Sequence, residues 1–579
     1  MASFRWFLAG FAVPAALVAA IQLSAAAPLH WPLPENSTER NGVRQMGVSH
    51  VKMSTAIDPA LPDVGLHPHA AQGLKRRYSG TPIDVLNYHY DNYPTGWNKS
   101  ETDLTPATVH SASFGQITTL NVDGNVLAQP LMVSNFTMPD SSVHNLLIVA
   151  TGHNSVYAYD AQDYTLLWHR KFGPPQPMND VGCQDIHPEY GISSTPVIVR
   201  TAPNAATMYL VVASEPAPFS FHTKIHAVDL GTGTDIMPPR EIKPTAHLAT
   251  GGQIHFDPQN QWNRASLAYS NGSIYVGVGS HCDNNAGAIS GWMLRYDASD
   301  LSLLDRFNTI EAHADYELSS IWMSGYAPAI SPDGHVYAIT GNGNYNLGKG
   351  FKGYGESVIG LSSDLKKKSV DTFTPNSWSQ LNGSDADFGS GGAMLIPTVS
   401  GQLAPPMLVA QGKAGNVYLL DSTHLGGLQG DGHTGSQPLQ EIDGSSSGCW
   451  CGAAYYVGPG GGMVFYQGSG VLHGYSVNTS GTPSLTNTIN GTSSGGGGGT
   501  FPIVSTNGST ANTGVVWVIK RATTEQLQAY NAATLGDPIF ASNAGTWSNG
   551  SRAYLTPLVA NGRVYVGAFK TVTVFGLTD

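Results

Sequence analysis

Ser155-Val-Tyr-Ala-Tyr-Asp160 begins a strand-turn-strand phrase that recurs along this chain. Each copy starts with β-branched or aromatic residues and ends in Asp or Asn, and a polar turn and a second apolar strand follow. Clear further copies lie at residues 224–229, 291–297, 415–421 and 526–531. One such sheet cannot bury its own two faces, so the recurring sheets are expected to pack on one another.

The composition of the 579-residue chain fits many short strands joined by tight turns. It contains 68 Gly and 36 Pro, and only 12% of its residues are charged, which argues against a helical protein. We expect an all-β fold, a single eight-bladed β-propeller of four-stranded antiparallel blades, with seven blades or two sandwiches as alternatives. The eight sheets are assigned to residues 129–172, 195–242, 265–309, 327–374, 393–442, 453–489, 501–542 and 554–577.

The last of these sheets supplies only about three strands from its own segment. Residues 114–122 read as a strand that has no other partner nearby in the sequence. We therefore expect this strand to complete the last sheet beside residues 572–575. Such an exchange joins the two ends of the propeller and removes an exposed sheet edge.

The first 82 residues lack the strand pattern and predict two processing segments. Residues 1–27 resemble a secretory signal, with Arg5 before an apolar run and small residues at its end; a membrane anchor is the alternative. Residues 28–82 are polar and are expected to be disordered or a pro-segment cut after Lys75-Arg-Arg77, with an ordinary linker as the alternative. The propeller is assigned to residues 83–579, and no later segment is apolar enough to be a stable membrane anchor.

Several features fit a secreted, extracellular glycoprotein. Nine Asn-x-Ser/Thr sequons occur, at Asn36, Asn98, Asn135, Asn271, Asn382, Asn478, Asn490, Asn507 and Asn549.

The formal charge of −12 argues against nucleic acid as a partner.

The four cysteines allow three pairings if two disulfides form in an oxidising compartment. We expect Cys183 to bond Cys282, because both belong to segments that depart from the repeat. Cys449 and Cys451 could close a small loop of their own, or each could pair elsewhere.

The departures from the repeat are where chemistry is expected, because generic repeat strands should look alike. Five such stretches lie in order along the chain, at residues 179–191, at 280–285, at 320–325 together with 339–344, at 385–392 and at 410–415.

In these stretches the chain resembles the quinoprotein alcohol dehydrogenase-like superfamily, whose catalytic members hold pyrroloquinoline quinone (PQQ) and a calcium ion on the propeller axis. Thr-Gly-Asn342 is similar to the family's calcium-binding asparagine, and Asp283 lies where the family places an acidic calcium ligand. Trp322 is similar to the tryptophan that stacks under the quinone. Asp387 is similar to the catalytic aspartate, and Lys413 to the basic residue that touches the quinone oxygens.

The chain departs from the family at Cys183-Gln184, where family dehydrogenases cover the cofactor with a disulfide between adjacent cysteines. The resemblance implies an oxidoreductase that acts on an alcohol or sugar hydroxyl, a small-molecule or carbohydrate substrate, and a separate electron acceptor. Each residue also has a structural interpretation: Trp322 could pack between blades, Asp387 could cap a loop, and Lys413 could belong to a common Lys-x-Gly turn. The alternative function is a non-catalytic propeller that binds a glycan or a protein.

Overall fold

Short strands dominate the computed structural model, which describes residues 78–248, 251–283, 289–310, 318–346, 353–366, 370–398, 405–432, 435–443, 448–547 and 554–578. The α-helices in these ranges are Pro106–Val109, Met178–Val181 and Trp378–Gly383, and the 3-10 turns are Tyr88–Tyr90, Met323–Gly325 and Phe388–Ser390. No helix within them has the length and apolar character needed to cross a membrane. The all-β class is confirmed, whereas the signal at 1–27 and most of the 28–82 segment lie outside the described residues.

The strands of the first half form small antiparallel sheets. The first sheet consists of Leu131–Thr137, Val143–Ala150, Ser155–Asp160 and Leu166–Lys171, and the second of Val197–Ala202, Ala205–Ser214, His222–Asp229 and Arg240–Glu241. The third consists of Ala268–Ser270, Ser273–Ser280, Trp292–Asp297 and Leu303–Asn308, with Gln261–Trp262 added to its second strand. The fourth consists of Ala329–Ile330, Val336–Ile339, Val358–Leu361 and Asp371–Thr374, with Gly427–Leu428 parallel to its last strand.

The second half continues in the same way. The fifth sheet consists of Ala393–Ile396, Met407–Gln411, Val417–Asp421 and Gln440–Ile442, and the sixth of Ala453–Gly458, Gly461–Tyr466, Val471–Asn478 and Ser484–Ser494. The seventh consists of Ile503–Ser505, Val515–Lys520, Thr524–Asn531 and Leu535–Thr546, with Trp97–Asn98 parallel to its first strand. Its last strand pairs in parallel with the last strand of the sixth sheet at Gly536 and Gly491, so these two units of four consecutive strands are joined in one nine-stranded sheet. The last contains Leu558–Ala560, Arg563–Gly567 and Phe569–Leu577. Two-stranded hairpins join Gln176–Pro177 to Glu189–Tyr190, Thr245–His247 to Gln253–His255, and Tyr345–Asn346 to Gly353–Tyr354.

The predicted pairing of the strand near residues 114–122 with the last sheet is confirmed. Phe114–Asn125 runs antiparallel to Phe569–Leu577 and pairs Phe114 with Leu577 and Leu120 with Val572. The last sheet thereby gains its fourth strand from the start of the described chain, and its outer edge is covered.

Burial along each sheet shows how the sheets pack. Every residue of Ser155–Asp160 and of Val336–Ile339 is buried, whereas the outer strand Leu166–Lys171 has no buried residue. Inner strands buried on both faces require apolar neighbours on both sides, which separate sheets stacked face to face provide.

The acidic or amide residue that ends each repeated phrase has a defined local role. Asp160 Oδ1 accepts a hydrogen bond from Gln162 N, and Asp421 Oδ1 accepts one from Thr423 N. A side chain that hydrogen-bonds the backbone two residues ahead closes a tight turn. The recurring Asp or Asn therefore caps the turn between the third and fourth strands of its sheet.

One stretch, residues 85–98, touches the first strand of every sheet named above, and we call it the base segment. Its backbone bonds Met132, Ile198, Ile330, Leu395, Tyr455 and Val504 in succession, and its Asn92 and Asn98 side chains reach the carbonyls of Tyr269 and Val559. The contacted sheets follow one another in chain order. The base segment therefore ties the first strands of the sheets together.

The two ends of each sheet carry different connections. Turns between first and second strands, and between third and fourth strands, lie at one end, which we call the hairpin end. The connections between second and third strands, and those leading to the next sheet, lie at the other end, which we call the site end. This division follows from antiparallel pairing of consecutive strands.

Candidate functional site

Three carboxylates from two sheet connections meet at the site end. Asp283 follows the second strand of the third sheet, and Asp385 and Asp387 lie between the fourth and fifth sheets. One carboxylate oxygen of each lies within 4.8 Å of the others. Asp387 is 5% exposed, whereas the Asp385 side chain is 75% exposed. Three negative groups so close together repel one another unless cations compensate them.

Asn342 connects these carboxylates. Its backbone N–H donates to Oδ1 of Asp387 at 2.8 Å, and its side-chain Nδ2 donates to Asp385 at 2.8 Å and to Asp283 at 3.2 Å. The amide oxygen Oδ1 is buried and has no hydrogen-bond partner among the residues that the structure describes. A buried acceptor without a partner is costly in a folded protein, which points to a missing donor or cation beside it.

Lys413 supplies the cation nearest to the cluster. Its ammonium lies 2.7 Å from Oδ2 of Asp387 and 3.0 Å from Oδ1 of Asp385. Burial opposes its charge, but the two carboxylates outweigh burial and raise the pKa of Lys413. One ammonium faces three carboxylates, so two negative charges remain to be balanced.

The Gly341 backbone allows these groups to approach. A Cβ at this position would lie 3.0 Å from Oδ1 of Asp387 and 3.1 Å from Nε1 of Trp322. Both separations are tighter than ordinary van der Waals contact. The Thr-Gly-Asn sequence therefore places Asn342 against the carboxylates by leaving the space beside it free.

Two indole rings flank the Lys413 ammonium. The nitrogen lies 5.9 Å from the ring centre of Trp322 and 5.2 Å from that of Trp450, within the range of cation–π attraction. Both tryptophans are half-buried. They give the site two apolar walls around a positive charge.

Trp450 is held by its neighbours. The disulfide between Cys449 and Cys451 closes a small loop around it, its N–H donates to the carbonyl of Gly498, and its carbonyl accepts from the Arg521 guanidinium. These contacts fix the loop, and with it the position of the indole.

A second disulfide fixes the Asp283 connection. Cys183 is bonded to Cys282, as predicted, and this bond links the loop before the second sheet to the residue preceding Asp283. Gln184 is exposed beside it. An adjacent-cysteine disulfide is thus replaced by a longer-range one, and a cofactor-binding role for Cys183 and Gln184 stays a prediction.

Glu356 is a fully buried carboxyl that contacts the backbone next to Asp387. Its Oε2 accepts a hydrogen bond from the N–H of Phe388, the residue after Asp387, at 2.6 Å. Burial, followed by the charge of Asp387, raises the pKa of Glu356 well above its usual value. Burial also raises the pKa of Asp387, and the Lys413 charge only partly offsets it.

A layer of cations and aromatic rings lies beneath Trp322. Its ring centre is 6.3 Å from that of Tyr554, and Tyr554 lies between the guanidinium groups of Arg264 (5.6 Å) and Arg521 (5.2 Å). Both arginines are almost fully buried. The two arginines therefore make the region next to Tyr554 and Trp322 positively charged.

The structure brings together Asp283, Asn342, Asp387, Lys413 and Trp322, although about 130 residues separate the first from the last. Sequence reasoning missed Asp385, Glu356, Trp450 and Tyr554. Asp385 stands two positions before Asp387, so an Asp-x-Asp pair was the available signal. Glu356 and Tyr554 lie outside the five stretches, and the sequence alone gave no sign of them.

Neither a family model nor a curated protein matches the sequence. Solved structures do match it. Quinohemoprotein alcohol dehydrogenase from Comamonas testosteroni is 14% identical with a TM-score of 0.54, and the match covers 85% of this chain and 80% of that one. The alcohol dehydrogenase ADHIIG from Pseudomonas putida HK5 is 14% identical with a TM-score of 0.54, covering 86% and 80%.

Europium-containing methanol dehydrogenase is 13% identical with a TM-score of 0.54, covering 86% of this chain and 98% of that one. The structural resemblance to quinoprotein dehydrogenases, first indicated by the repeats, is therefore confirmed. At this level of identity the comparison establishes the fold, and the chemistry has to be argued from the site itself.

Proposed function

We propose that this chain is a secreted quinoprotein-like oxidoreductase that oxidises an alcohol or sugar hydroxyl with PQQ and calcium. The observation that carries the proposal is the convergence of Asp283, Asn342, Asp387, Lys413 and Trp322 on one site. These residues come from four separate stretches of the sequence, so their meeting supports one shared site.

The donor set fits a calcium ion. Calcium binds carboxylate and amide oxygens, and the cluster offers three carboxylates and the buried, unpartnered Oδ1 of Asn342. The Lys413 ammonium balances one of the three carboxylates, and the two negative charges that remain match the charge of a divalent ion. Asp283 and Asn342 would be its protein ligands.

The walls fit a flat anionic cofactor. Trp322 provides an aromatic surface for stacking, and Lys413 provides an ammonium that can neutralise quinone oxygens. When bound, the quinone accepts the two reducing equivalents that leave the substrate.

A residue of the chain itself would accept the proton of the substrate hydroxyl. Asp387 is buried and its raised pKa makes it a stronger base than an exposed aspartate, so it can take the hydroxyl proton of the alcohol. The N–H of Asn342 holds Oδ1 of Asp387, which leaves Oδ2 on the Lys413 side to accept the proton. Glu356 fixes the peptide that follows Asp387 and so orients its carboxylate.

We also infer that the sheets form eight blades of one propeller. The successive four-stranded sheets, the strand shared between the chain ends and the base segment support this count.

Electrons would leave to a separate acceptor, since the sequence has no Cys-x-x-Cys-His haem attachment motif.

A non-catalytic propeller that binds a glycan or a protein is the second candidate. It is favoured by Cys183-Gln184, because the adjacent disulfide that covers the cofactor in family dehydrogenases cannot form there. Binding by such a protein would not need Asp387.

The test is turnover by protein reconstituted with PQQ and calcium. Purified protein would be assayed for dye reduction with a panel of primary alcohols and sugars. Activity that requires both additions supports the proposal. Stoichiometric cofactor loading without turnover of any substrate would favour the binding protein.

A further inference from the structure

The described sequons differ sharply in where they lie. Asn271 and Asn507 occupy turns between the first and second strands of the third and seventh sheets, and Asn478 ends the third strand of the sixth sheet. Asn135 lies two residues before the end of the first strand of the first sheet. All four are exposed, and all four belong to the hairpin end.

Two other sequons are placed unfavourably for modification. Asn98 is 1% exposed, and its Nδ2, the atom to which a sugar would be attached, donates to the carbonyl of Val559. Asn382 is half-buried at the site end, and its amide oxygen accepts from the N–H of Gly343, next to Asn342. A glycan on Asn98 would have to displace the base segment, and one on Asn382 would stand beside the carboxylate cluster.

We propose that N-linked glycans occupy Asn135, Asn271, Asn478 and Asn507 at the hairpin end, and that none occupies the described sequons at the base segment and the site end, Asn98 and Asn382, so that the site end stays open. Exposed asparagines can carry a bulky, hydrated group without loss of packing. The Nδ2 of Asn478 donates to the carbonyl of Thr482 at 3.2 Å, but this bond is exposed, so water can replace it when a sugar is attached. Asn490 lies midway along an outer strand, so a glycan there would point away from both ends. The inference requires the chain to pass through the secretory pathway, but it does not depend on the oxidoreductase activity.

Glycopeptide mapping of the full-length protein, secreted from a eukaryotic host, tests this inference. Enzymatic removal of N-glycans in heavy-oxygen water converts each occupied asparagine into labelled aspartate, which mass spectrometry locates. The expected result is label at Asn135, Asn271, Asn478 and Asn507, with none at Asn98 or Asn382. Label at Asn382 or Asn98 in folded protein, or a chain that carries no glycan at the four positions, would overturn the proposal.

Matched variants keep the test informative if mapping is incomplete. Combined replacement of the four asparagines by glutamine should remove the glycan-dependent mobility shift, apart from any contribution of Asn490 and of Asn36 and Asn549, which lie outside the described residues. Asn382→Gln should leave that shift unchanged. A shift that survives the fourfold replacement and disappears with Asn382→Gln would show that glycans lie at the site end.

Discussion

The Lys413 ammonium lies 2.7 Å from Oδ2 of Asp387, and the two residues come from different connections at the site end. Their contact joins the base expected to accept a proton with the cation expected to face the quinone. The contact also offsets part of the cost of burying the Asp387 carboxylate, which is 5% exposed, beside two others.

Replacing Asp387 by Asn should remove turnover and keep the cofactor. The amide preserves the shape and the hydrogen bond from Asn342 but cannot take a proton, so kcat should fall by about 100- to 10,000-fold. PQQ binding, measured by absorbance titration, should change little. Asp333→Asn, at an exposed turn, is the matched control and should keep full activity. A D387N protein with normal turnover would exclude Asp387 as the base.

Replacing Lys413 by Ala should weaken both cofactor binding and turnover. A charged hydrogen bond contributes about 1.5–3 kcal/mol, so PQQ affinity should fall about 10- to 100-fold. Lys366→Ala, whose side chain is 71% exposed, should leave affinity unchanged. Equal affinities of K413A and the unmodified protein, measured by the same titration, would show that Lys413 does not touch the cofactor.

Removal of residues 78–122 should destabilise the whole described fold. The deletion takes away the base segment, which bonds the first strand of each sheet, and most of the strand that completes the last sheet. Exposed sheet edges and lost hydrogen bonds should lower the melting temperature well beyond the effect of trimming a tail. A truncated protein that melts like the mature form would contradict this role.

His89 should make stability depend on acid pH. Its ring is fully buried, stacked on Tyr88 with centroids 4.2 Å apart, and burial lowers the pKa of His89 to about 3. The unfolded chain binds this proton near pH 6.5, so the stabilising contribution is present above pH 6.5 and is lost as the pH falls toward 3.

Urea unfolding of the unmodified protein and His89→Phe at several pH values measures this effect. The pH-dependent difference between the two proteins should reach at most about 5 kcal/mol over that interval. Parallel pH profiles for the unmodified protein and H89F would refute the assignment.

The fold could be anticipated from local patterns, whereas part of the site could not. Strands such as Ser155–Asp160 carry their own β-branched and aromatic residues and a turn residue, and the strand at Phe114–Asn125 was identifiable because the last sheet lacked one. Asn342 and Asp387 were found through motifs tied to particular turns. These features are formed by residues close together in the sequence, so they can be recognised from the sequence alone.

The remaining site residues depend on contacts between distant connections. Glu356 matters because the N–H of Phe388 reaches it across 32 residues, and Tyr554 because two buried arginines enclose it. Trp450 stands between two cysteines whose pairing the sequence left open. Only packing of the sheets determines which of these groups meet, so no local pattern could reveal them.

The central claim is that Asp283 and Asn342 would hold calcium and that Trp322 and Lys413 would hold a quinone beside Asp387. A titration of the purified protein with PQQ and calcium tests it most directly. Absorbance and melting temperature would be recorded with each addition alone and with both together. We expect a saturable spectral change with one PQQ per chain that requires calcium, together with a rise in melting temperature, because a ligand that binds only the folded state stabilises it. No saturable change in absorbance and an unaltered melting temperature with both present would contradict the account.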